Sequence, residues 1–165
     1  MSVKKNQANK LLQKFRKIAD SSLAAKQKIE EISATIAEIF SADILICCSL
    51  IEGKYLECLS SFGVSERLDE QWQTDKGIIG KIATEKQVTI VNNVDENYDD
   101  FVCAEELKHK KIKTFVGAAI VQWNRCLGVL GIFSSNASAF GDDDKDCLKL
   151  VAMFMAELWE KPDVA

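Results

Sequence analysis

The sequence predicts an α+β fold, with helices near both ends of the chain and paired strands between them. Two observations lead to this prediction. Apolar residues recur at helical spacing near the start and near the end of the chain. Between them lie two pairs of apolar segments, each pair joined by a short polar break. Paired segments of this kind are typical of β-hairpins.

Length and composition indicate one globular domain. The chain has 165 residues, of which 47% are hydrophobic and 28% are charged, and one core usually serves a chain of this size. Its net charge of −4 argues against nucleic acid as the main partner. No apolar run is long enough to span a bilayer, and the first residues lack the apolar core of a signal peptide. We therefore expect a cytoplasmic protein that is not bound to a membrane.

The first forty or so residues are predicted to be helical. Residues 1–52 contain no glycine or proline, and apolar residues recur at steps of four and three, as in a heptad repeat. This spacing predicts a homodimer seam, formed by Leu11, Phe15, Ile18, Ile29, Ile32 and Ile36. The small residues Ser22 and Ala25 weaken its middle, which leaves open a break into two helices. Packing of the second half on its own domain also remains open, because core-facing helices share this spacing.

The periodicity changes after Ala42. Residues 43–50 and 55–61 read as two strands, and Gly53 can supply the positive φ that the turn between them needs. Residues 77–86 predict a short helix, and a short β-branched strand begins at Val88. The following polar segment, acidic at first and then rich in lysine, predicts a helical turn or two.

A second hairpin and a terminal helix complete the predicted elements. Residues 114–123 and 126–134 are almost continuously apolar, as expected of central strands that are covered on both faces. Glycines within them indicate that another backbone or a ligand approaches closely. The last helix is predicted from three consecutive aspartates that begin at Asp142, which favour a helix start, to Pro162.

Six cysteines are scattered along the chain. None forms a CxxC pair, four lie in apolar runs, and the chain has a single histidine. A reduced thiol in an apolar run behaves as a small hydrophobic group. Zinc sites usually need paired Cys or His spacings, so we predict core thiols and no metal site.

Three segments in order resemble the GAF domain, a sensory module. They are "GIIGKIATEKQVTIVNNV", "KIKTFVGAAIVQWNRCLGVLGIFSS" and "AFGDDDKDCLKLVAMF". The resemblance covers about residues 23–160, which leaves residues 1–22 as a helical extension and 161–165 as a tail. One difference is Ala119, which stands where the family commonly has proline.

The resemblance implies an antiparallel sheet of five or six strands. The N- and C-terminal helices would cover one face, and a roof from about Trp72 to Lys111 would enclose a ligand pocket on the other. Members of the family bind cyclic nucleotides, bilins, haem or other small molecules, and many act as dimerisation and relay modules. The pocket candidates near the roof and inner strand are Phe62, Trp72, Tyr98, Phe101, Cys103, Thr114 and Val116.

The best known ligands of the family are each disfavoured by this sequence. Cyclic nucleotide binding goes with an Asn-Lys pair, which is replaced here by Ser134 and Ser135. Haem-sensing members carry a histidine where this chain has Lys113, four residues after His109. Bilin-binding members attach the pigment to a roof cysteine that His or Tyr commonly follows, whereas an alanine follows Cys103. The sequence therefore leaves the ligand unidentified.

An enzymatic role is also disfavoured. Some small GAF proteins resemble free methionine sulfoxide reductases, but the cysteine of their "GVCG"-like motif is Ile79 here. We predict a sensory or regulatory domain that binds a small molecule and relays through a dimeric helix, in some contexts fused to a signalling output domain. The alternatives are a dimerisation module that binds no ligand and a small cysteine-dependent reductase.

Overall fold

The computed structural model describes residues 5–64, 71–101 and 103–159, with side chains from residue 9 onward. The α+β prediction is confirmed. The helices are α1 (Lys5–Ala19), α2 (Ala25–Ile39), α3 (Gly77–Glu85), α4 (Ala104–His109) and α5 (Asp142–Trp159). The strands are β1 (Ile44–Ile51), β2 (Tyr55–Phe62), β3 (Gln71–Gln73), β4 (Val88–Val91), β5 (Thr114–Gln122) and β6 (Arg125–Ser134). Two 3₁₀ turns, Val94–Glu96 and Tyr98–Asp100, lie between β4 and α4.

One six-stranded antiparallel sheet has the order β3-β2-β1-β6-β5-β4. Both predicted hairpins form, and β5 and β6 are almost completely buried, as expected of central strands. The edge strand β3 was not predicted, because its three residues, Gln-Trp-Gln, are too few to show a pattern. The six strands agree with the number that the resemblance implies.

The sheet lies between two layers, each with its own apolar core. Side chains from α1, α2 and α5 join alternate residues of the strands in one cluster, which we call the helix-side core. Side chains from α3, α4 and the segment between β4 and α4 cover the other face, in a second cluster that we call the roof-side core. This arrangement is the one that the resemblance implies. No helix among the described residues is both long enough and apolar enough to cross a bilayer.

The helical segment is interrupted between α1 and α2. The interruption lies at the small residues Ser22 and Ala25, where the sequence left a break open. The hydroxyl of Ser21 donates a hydrogen bond of 2.6 Å to the carbonyl oxygen of Ile18. The ammonium group of Lys28 donates one of 2.7 Å to the carbonyl oxygen of Ala19. Both bonds satisfy carbonyl groups that the end of α1 leaves without helical partners. The bond from Lys28, a residue of α2, also holds the end of α1 against α2.

The dimer seam predicted from the heptad spacing is wrong for these side chains. Five of the six are buried in the helix-side core, and Ile18 is partly buried against it: the buried ones are Leu11, Phe15, Ile29, Ile32 and Ile36. The break allows α1 to pack on α2 and α5, so the apolar stripe faces the chain's own core. Homodimerisation itself stays a prediction, but it would need other residues.

Candidate functional site

Phenylalanine side chains fill the space between the roof and the sheet. Phe115 of β5 and Phe133 of β6 have ring centroids 4.8 Å apart. Phe101, from the segment before α4, meets both rings edge-on, at 5.1 Å from Phe115 and 5.6 Å from Phe133. All three side chains are buried. The region where the resemblance implies a ligand pocket is therefore occupied largely by the protein itself.

Two glycines of the central strands make room for the Phe115 ring. A Cβ atom added to Gly117 would lie 2.5 Å from Cζ of Phe115, and one added to Gly131 would lie 2.9 Å from its Cε1. Real Cβ contacts are longer than either distance, so a side chain at these positions would displace the ring. The sequence indicated that another backbone or a ligand approaches the strand glycines closely. In the structure the group that approaches Gly117 and Gly131 is the Phe115 side chain.

A cleft remains beside this packed interior, between the β2–β3 edge of the sheet and the start of α3. We call it the roof cleft, and its volume is about 380 Å³, within the range of small-molecule sites. It is lined by Leu56, Gln71, Trp72, Gln73, Lys76, Gly77, Ile79, Gly80, Asp99, Asp100 and Phe101. Apolar, amide and charged side chains of both signs therefore meet in one concave surface.

Two glycines bring the start of α3 close to its neighbours. Gly77 has a φ of +76°, and a Cβ there would lie 2.7 Å from the carbonyl oxygen of Asp100. A Cβ on Gly80 would lie 2.5 Å from the carbonyl oxygen of Thr74. The N-cap residue, Lys76, makes no side-chain hydrogen bond to the helix. The first backbone N–H groups of α3 therefore have no side-chain cap from this residue, and Gly77 and Gly80 beside them line the cleft.

Four of the seven predicted pocket residues lie on the roof side of the sheet. Trp72 and Phe101 line the roof cleft, and Tyr98 and Cys103 pack against the roof-side core. The hydroxyl of Tyr98 donates a hydrogen bond of 3.1 Å to the carbonyl oxygen of Ile112. Tyr98 therefore holds the roof segment to the chain just before β5.

The other three predicted pocket residues are corrected by the structure. Val116 belongs to the helix-side core, and Thr114 shares its side of β5 and donates a hydrogen bond of 2.9 Å to the carbonyl oxygen of Asn136. Phe62 is 46% exposed and pairs with Leu45, which belongs to the helix-side core. Successive side chains of a strand point to opposite faces, so Phe115 is the residue of β5 that reaches the roof.

The polar lining of the cleft was missed in the sequence. Gln71 and Gln73 lie on the unpredicted strand β3, Lys76 was assigned to no element, and Asp99 and Asp100 were read only as part of a polar segment. The one available indication was the acidic character of the segment that contains Asp99 and Asp100. Charged side chains in loops usually face solvent, so this composition alone does not indicate a site.

The cysteines are free thiols that burial keeps protonated. The pKa of the Cys103 thiol is raised to about 12, mainly by burial and to a smaller extent by the neighbouring side chains of Glu106 and Cys58. Burial is also the main cause of the raised pKa of the other five thiols, those of Cys47, Cys48, Cys58, Cys126 and Cys147. Within the described part of the chain, no group of His, Cys, Asp and Glu has the arrangement of a metal site.

The raised pKa of Cys103 predicts low reactivity at neutral pH. The thiolate is the nucleophile, so iodoacetamide is expected to modify Cys103 of the folded protein far more slowly than free cysteine, as followed by mass spectrometry. Because the folded pKa lies above the ordinary 9.0, the stability that this group contributes is complete below that pH. It is lost as the pH rises towards 12.

Unfolding in urea at the same neutral pH is the control for this measurement, because it should bring the alkylation rate of Cys103 to that of free cysteine. A Cys103→Ser variant identifies the modified peptide. If Cys103 of the folded protein reacts at neutral pH as fast as free cysteine, the thiol is not kept protonated by its surroundings.

Comparison with known families identifies the domain. The family profile described as GAF domain matches residues 26–160. The chain belongs to the GAF domain family. Comparison of the sequence with curated proteins gives no match.

Solved GAF domains share this fold at low sequence identity. The GAF domain from an Acinetobacter phosphoenolpyruvate-protein phosphotransferase is similar with a TM-score of 0.81 and 14% identity, over 94% of this chain and 93% of that one. The corresponding domain from Coxiella burnetii gives 0.80 and 14%, over 92% and 91%. Free methionine-R-sulfoxide reductase from Neisseria meningitidis, solved in complex with its substrate, gives 0.77 and 18%, over 91% and 86%. At these identities the likeness establishes the fold alone.

Proposed function

We propose that this GAF domain is a sensory module that binds a small zwitterionic molecule, such as a free amino acid, in the roof cleft. The observation that carries the proposal is the distribution of charge around the cleft. The lining has a cationic end, with Lys76 at the start of α3, and an anionic end, with Asp99 and Asp100, beside an apolar wall that includes Leu56 and Trp72. A free amino acid has the complementary arrangement, with a carboxylate and an ammonium group on one carbon.

The cationic end would hold the carboxylate of the ligand. The uncapped N–H groups at the start of α3 can donate hydrogen bonds to a carboxylate, and the helix dipole adds a partial positive charge. Lys76 contributes a full positive charge at the same place. Gly77 and Gly80 matter here because their missing side chains leave this end of the helix close to the neighbouring backbone.

The anionic end would hold the ammonium group. Asp99 and Asp100 line the cleft on the 3₁₀ turn Tyr98–Asp100. Lys108 lies 4.0 Å from a carboxylate oxygen of Asp99, but both side chains are well exposed. Solvent screens such a pair, so the two carboxylates together keep this end negative.

Aromatic side chains would contact the body of the ligand and transmit the effect of its binding to the sheet. Trp72 and Phe101 line the cleft, and the ring of Phe101 also touches Phe115 and Phe133. A ligand that shifts Phe101 would therefore act on β5 and β6, whose opposite face packs against α1, α2 and α5. This path could connect the cleft with the helices without a new dimer contact.

The similar reductase structures agree with this class of ligand. The protein from Neisseria meningitidis is named a reductase of free methionine-R-sulfoxide, and free methionine sulfoxide is a zwitterionic amino acid. A reductase activity is not part of the proposal, because the thiols of this chain are protonated at neutral pH and a buried isoleucine, Ile79, occupies the motif position.

Titration with free methionine and methionine sulfoxide tests the proposal. In amide-resolved NMR of the labelled protein, we expect shifts at Trp72, Lys76, Gly77 and Asp100, and smaller ones at Phe115. N-acetylmethionine and methionine amide, which each lack one charge, are expected to bind more weakly, because either end of the cleft then loses its partner. A panel of the other free amino acids extends the search if these two do not fit the apolar wall.

A matched pair of variants separates the cleft from general charge effects. Lys76→Ala should weaken binding about three- to tenfold, as expected for the loss of one partly screened charge. Lys81→Ala removes the same charge from an exposed position of α3 outside the cleft and should leave binding unchanged. The absence of cleft shifts with every free amino acid would instead favour the second candidate.

That second candidate is a GAF domain that acts by protein interaction and binds no ligand. The filled space around Phe101, Phe115 and Phe133 favours it, because the interior under the roof is already packed. Under this alternative the roof cleft is only a surface depression, and Lys76→Ala changes no measurable property.

A further inference from the structure

A second cleft, away from the roof, lies where α5 passes the edge of the sheet. We call it the edge cleft, and its volume is about 470 Å³. Its apolar lining, which we call the floor, includes Ala119 and Val121 of β5 and Met153 of α5. Three lysines surround this floor: Lys86, Lys145 and Lys149.

The edge of β5 is open at this point. The pairing of β4 with β5 ends at Val88 and Ala118, whereas β5 continues to Gln122. Along this extra stretch the described strands give β5 a neighbour only on the β6 side. A strand edge without a neighbour directs the N–H and C=O groups of alternate residues outward. The edge cleft therefore contains backbone donors as well as side chains.

The charge around the edge cleft is positive, although the chain as a whole carries −4. The three lysines are opposed within the lining by one carboxylate, that of Asp146. Lys86 is held in place by a hydrogen bond of 2.7 Å from its ammonium group to the carbonyl oxygen of Asn124. Lysine stems can lie along apolar surface while their charged ends stay in water. An apolar floor with a cationic rim results.

Exposed apolar side chains border the same region. Met153 is 59% exposed, and Trp123, which follows the open stretch of β5, is 89% exposed. Trp123 also adopts a φ of +55°, which is costly for a bulky residue. This φ and that of Asn124, +61°, are the ones that the two-residue turn between β5 and β6 requires, so the exposed ring and not the backbone is what favours a binding surface.

We propose that the edge cleft binds a small amphipathic anion, a molecule with a carboxylate or phosphate head and an alkyl or aromatic body. The head group lies between Lys145, Lys149 and the N–H groups of the open β5 edge. The apolar body lies on Ala119, Val121 and Met153. This site is separate from the roof cleft and does not depend on the function proposed there.

Decanoate, used below its micelle concentration, is the probe for this site, and decanol is its uncharged match. In amide-resolved NMR of the full chain, decanoate is expected to shift Val88, Ala119, Val121 and Lys149 but not Trp72 or Gly77. Decanol should bind several-fold more weakly, because it keeps the body and loses the charge. The proposal is overturned if low-millimolar decanoate causes no shifts at the edge cleft, or if decanol binds equally well.

Two double variants with the same change in net charge test the role of the lysines. Lys145→Glu with Lys149→Glu is expected to raise the dissociation constant for decanoate about tenfold, because two attractive charges become repulsive. Lys10→Glu with Lys14→Glu, on the exposed face of α1, should leave it unchanged. Equal effects of the two pairs would overturn the proposal. A single Lys149→Glu substitution replaces the first pair if its spectrum shows loss of folding.

An anionic lipid surface could present the same chemistry through its head groups. Co-sedimentation with phosphatidylglycerol vesicles distinguishes this source from a free molecule. We expect no sedimentation with vesicles, because the concave site takes one molecule at a time. Binding to vesicles without binding to dissolved decanoate would overturn the proposal and assign the lysines and Trp123 to a membrane surface.

Discussion

Replacing Phe115 with alanine is expected to lower the free energy of unfolding by about 3–5 kcal/mol, the usual loss for a buried phenylalanine. Its ring is fully buried and contacts Phe101 and Phe133. The ring also fills the space over Gly117 and Gly131, which have no side chains of their own to fill it. Urea unfolding followed by circular dichroism measures the loss.

Phe62→Ala is the matched control, because Phe62 is a strand phenylalanine that is 46% exposed, and it should cost about 1 kcal/mol or less. A cavity left by Phe115→Ala should also bind a small apolar molecule such as benzene. Benzene is then expected to raise the melting temperature of the variant and not that of the unmodified protein. A loss below about 1 kcal/mol would mean that the space under the roof is not tightly packed.

Most of the fold could be predicted from the sequence because its elements have strong local patterns. The Gly53 turn, the paired apolar strands and the aspartate-rich start of α5 each specify their element within a few residues. The failures arise where a pattern has two structural readings. The stripe from Leu11 to Ile36 has the same spacing in a coiled coil and in a helix on its own core, and only the tertiary contacts distinguish them.

The candidate site was less predictable, for a reason of strand geometry. Naming β5 as the inner strand was correct, but a shift of one residue exchanges the faces. Thr114 and Val116 were chosen where Phe115 occupies the roof side. Nearly every residue of β5 is buried, so its apolar pattern does not show which face carries which side chain.

The polar part of the roof cleft depends on contacts far apart in sequence. Trp72 lies on an edge strand, Lys76 precedes α3, and Asp100 ends a 3₁₀ turn, and the cleft exists only when all three meet. The segment that begins with Gly77 was correctly interpreted as a short helix. That interpretation did not identify the neighbouring backbone, which closes one side of the cleft.

Phe15→Asp is expected to destabilise the protein without acting through a dimer. Phe15 is 4% exposed, and its ring centroid lies 5.4 Å from that of Phe154 on α5. A carboxylate in this contact would be buried without a partner, at a cost of about 3 kcal/mol or more. Because α1 is the first helix, it can escape this cost by detaching. We therefore expect faster hydrogen exchange throughout α1 and a lower midpoint of urea unfolding.

Protein concentration separates this expectation from a coiled-coil role. Stability that arises within one chain does not change with concentration, whereas stability gained by association rises with it. The effect of Phe15→Asp should thus be equal in dilute and concentrated samples, and light scattering should give the same mass for the variant and the unmodified protein. Gln13→Asp adds the same charge at an exposed position of α1 and should change neither quantity. A fall in mass confined to Phe15→Asp would restore Phe15 to an intermolecular seam, because a side chain that packs only within its own chain cannot hold two chains together.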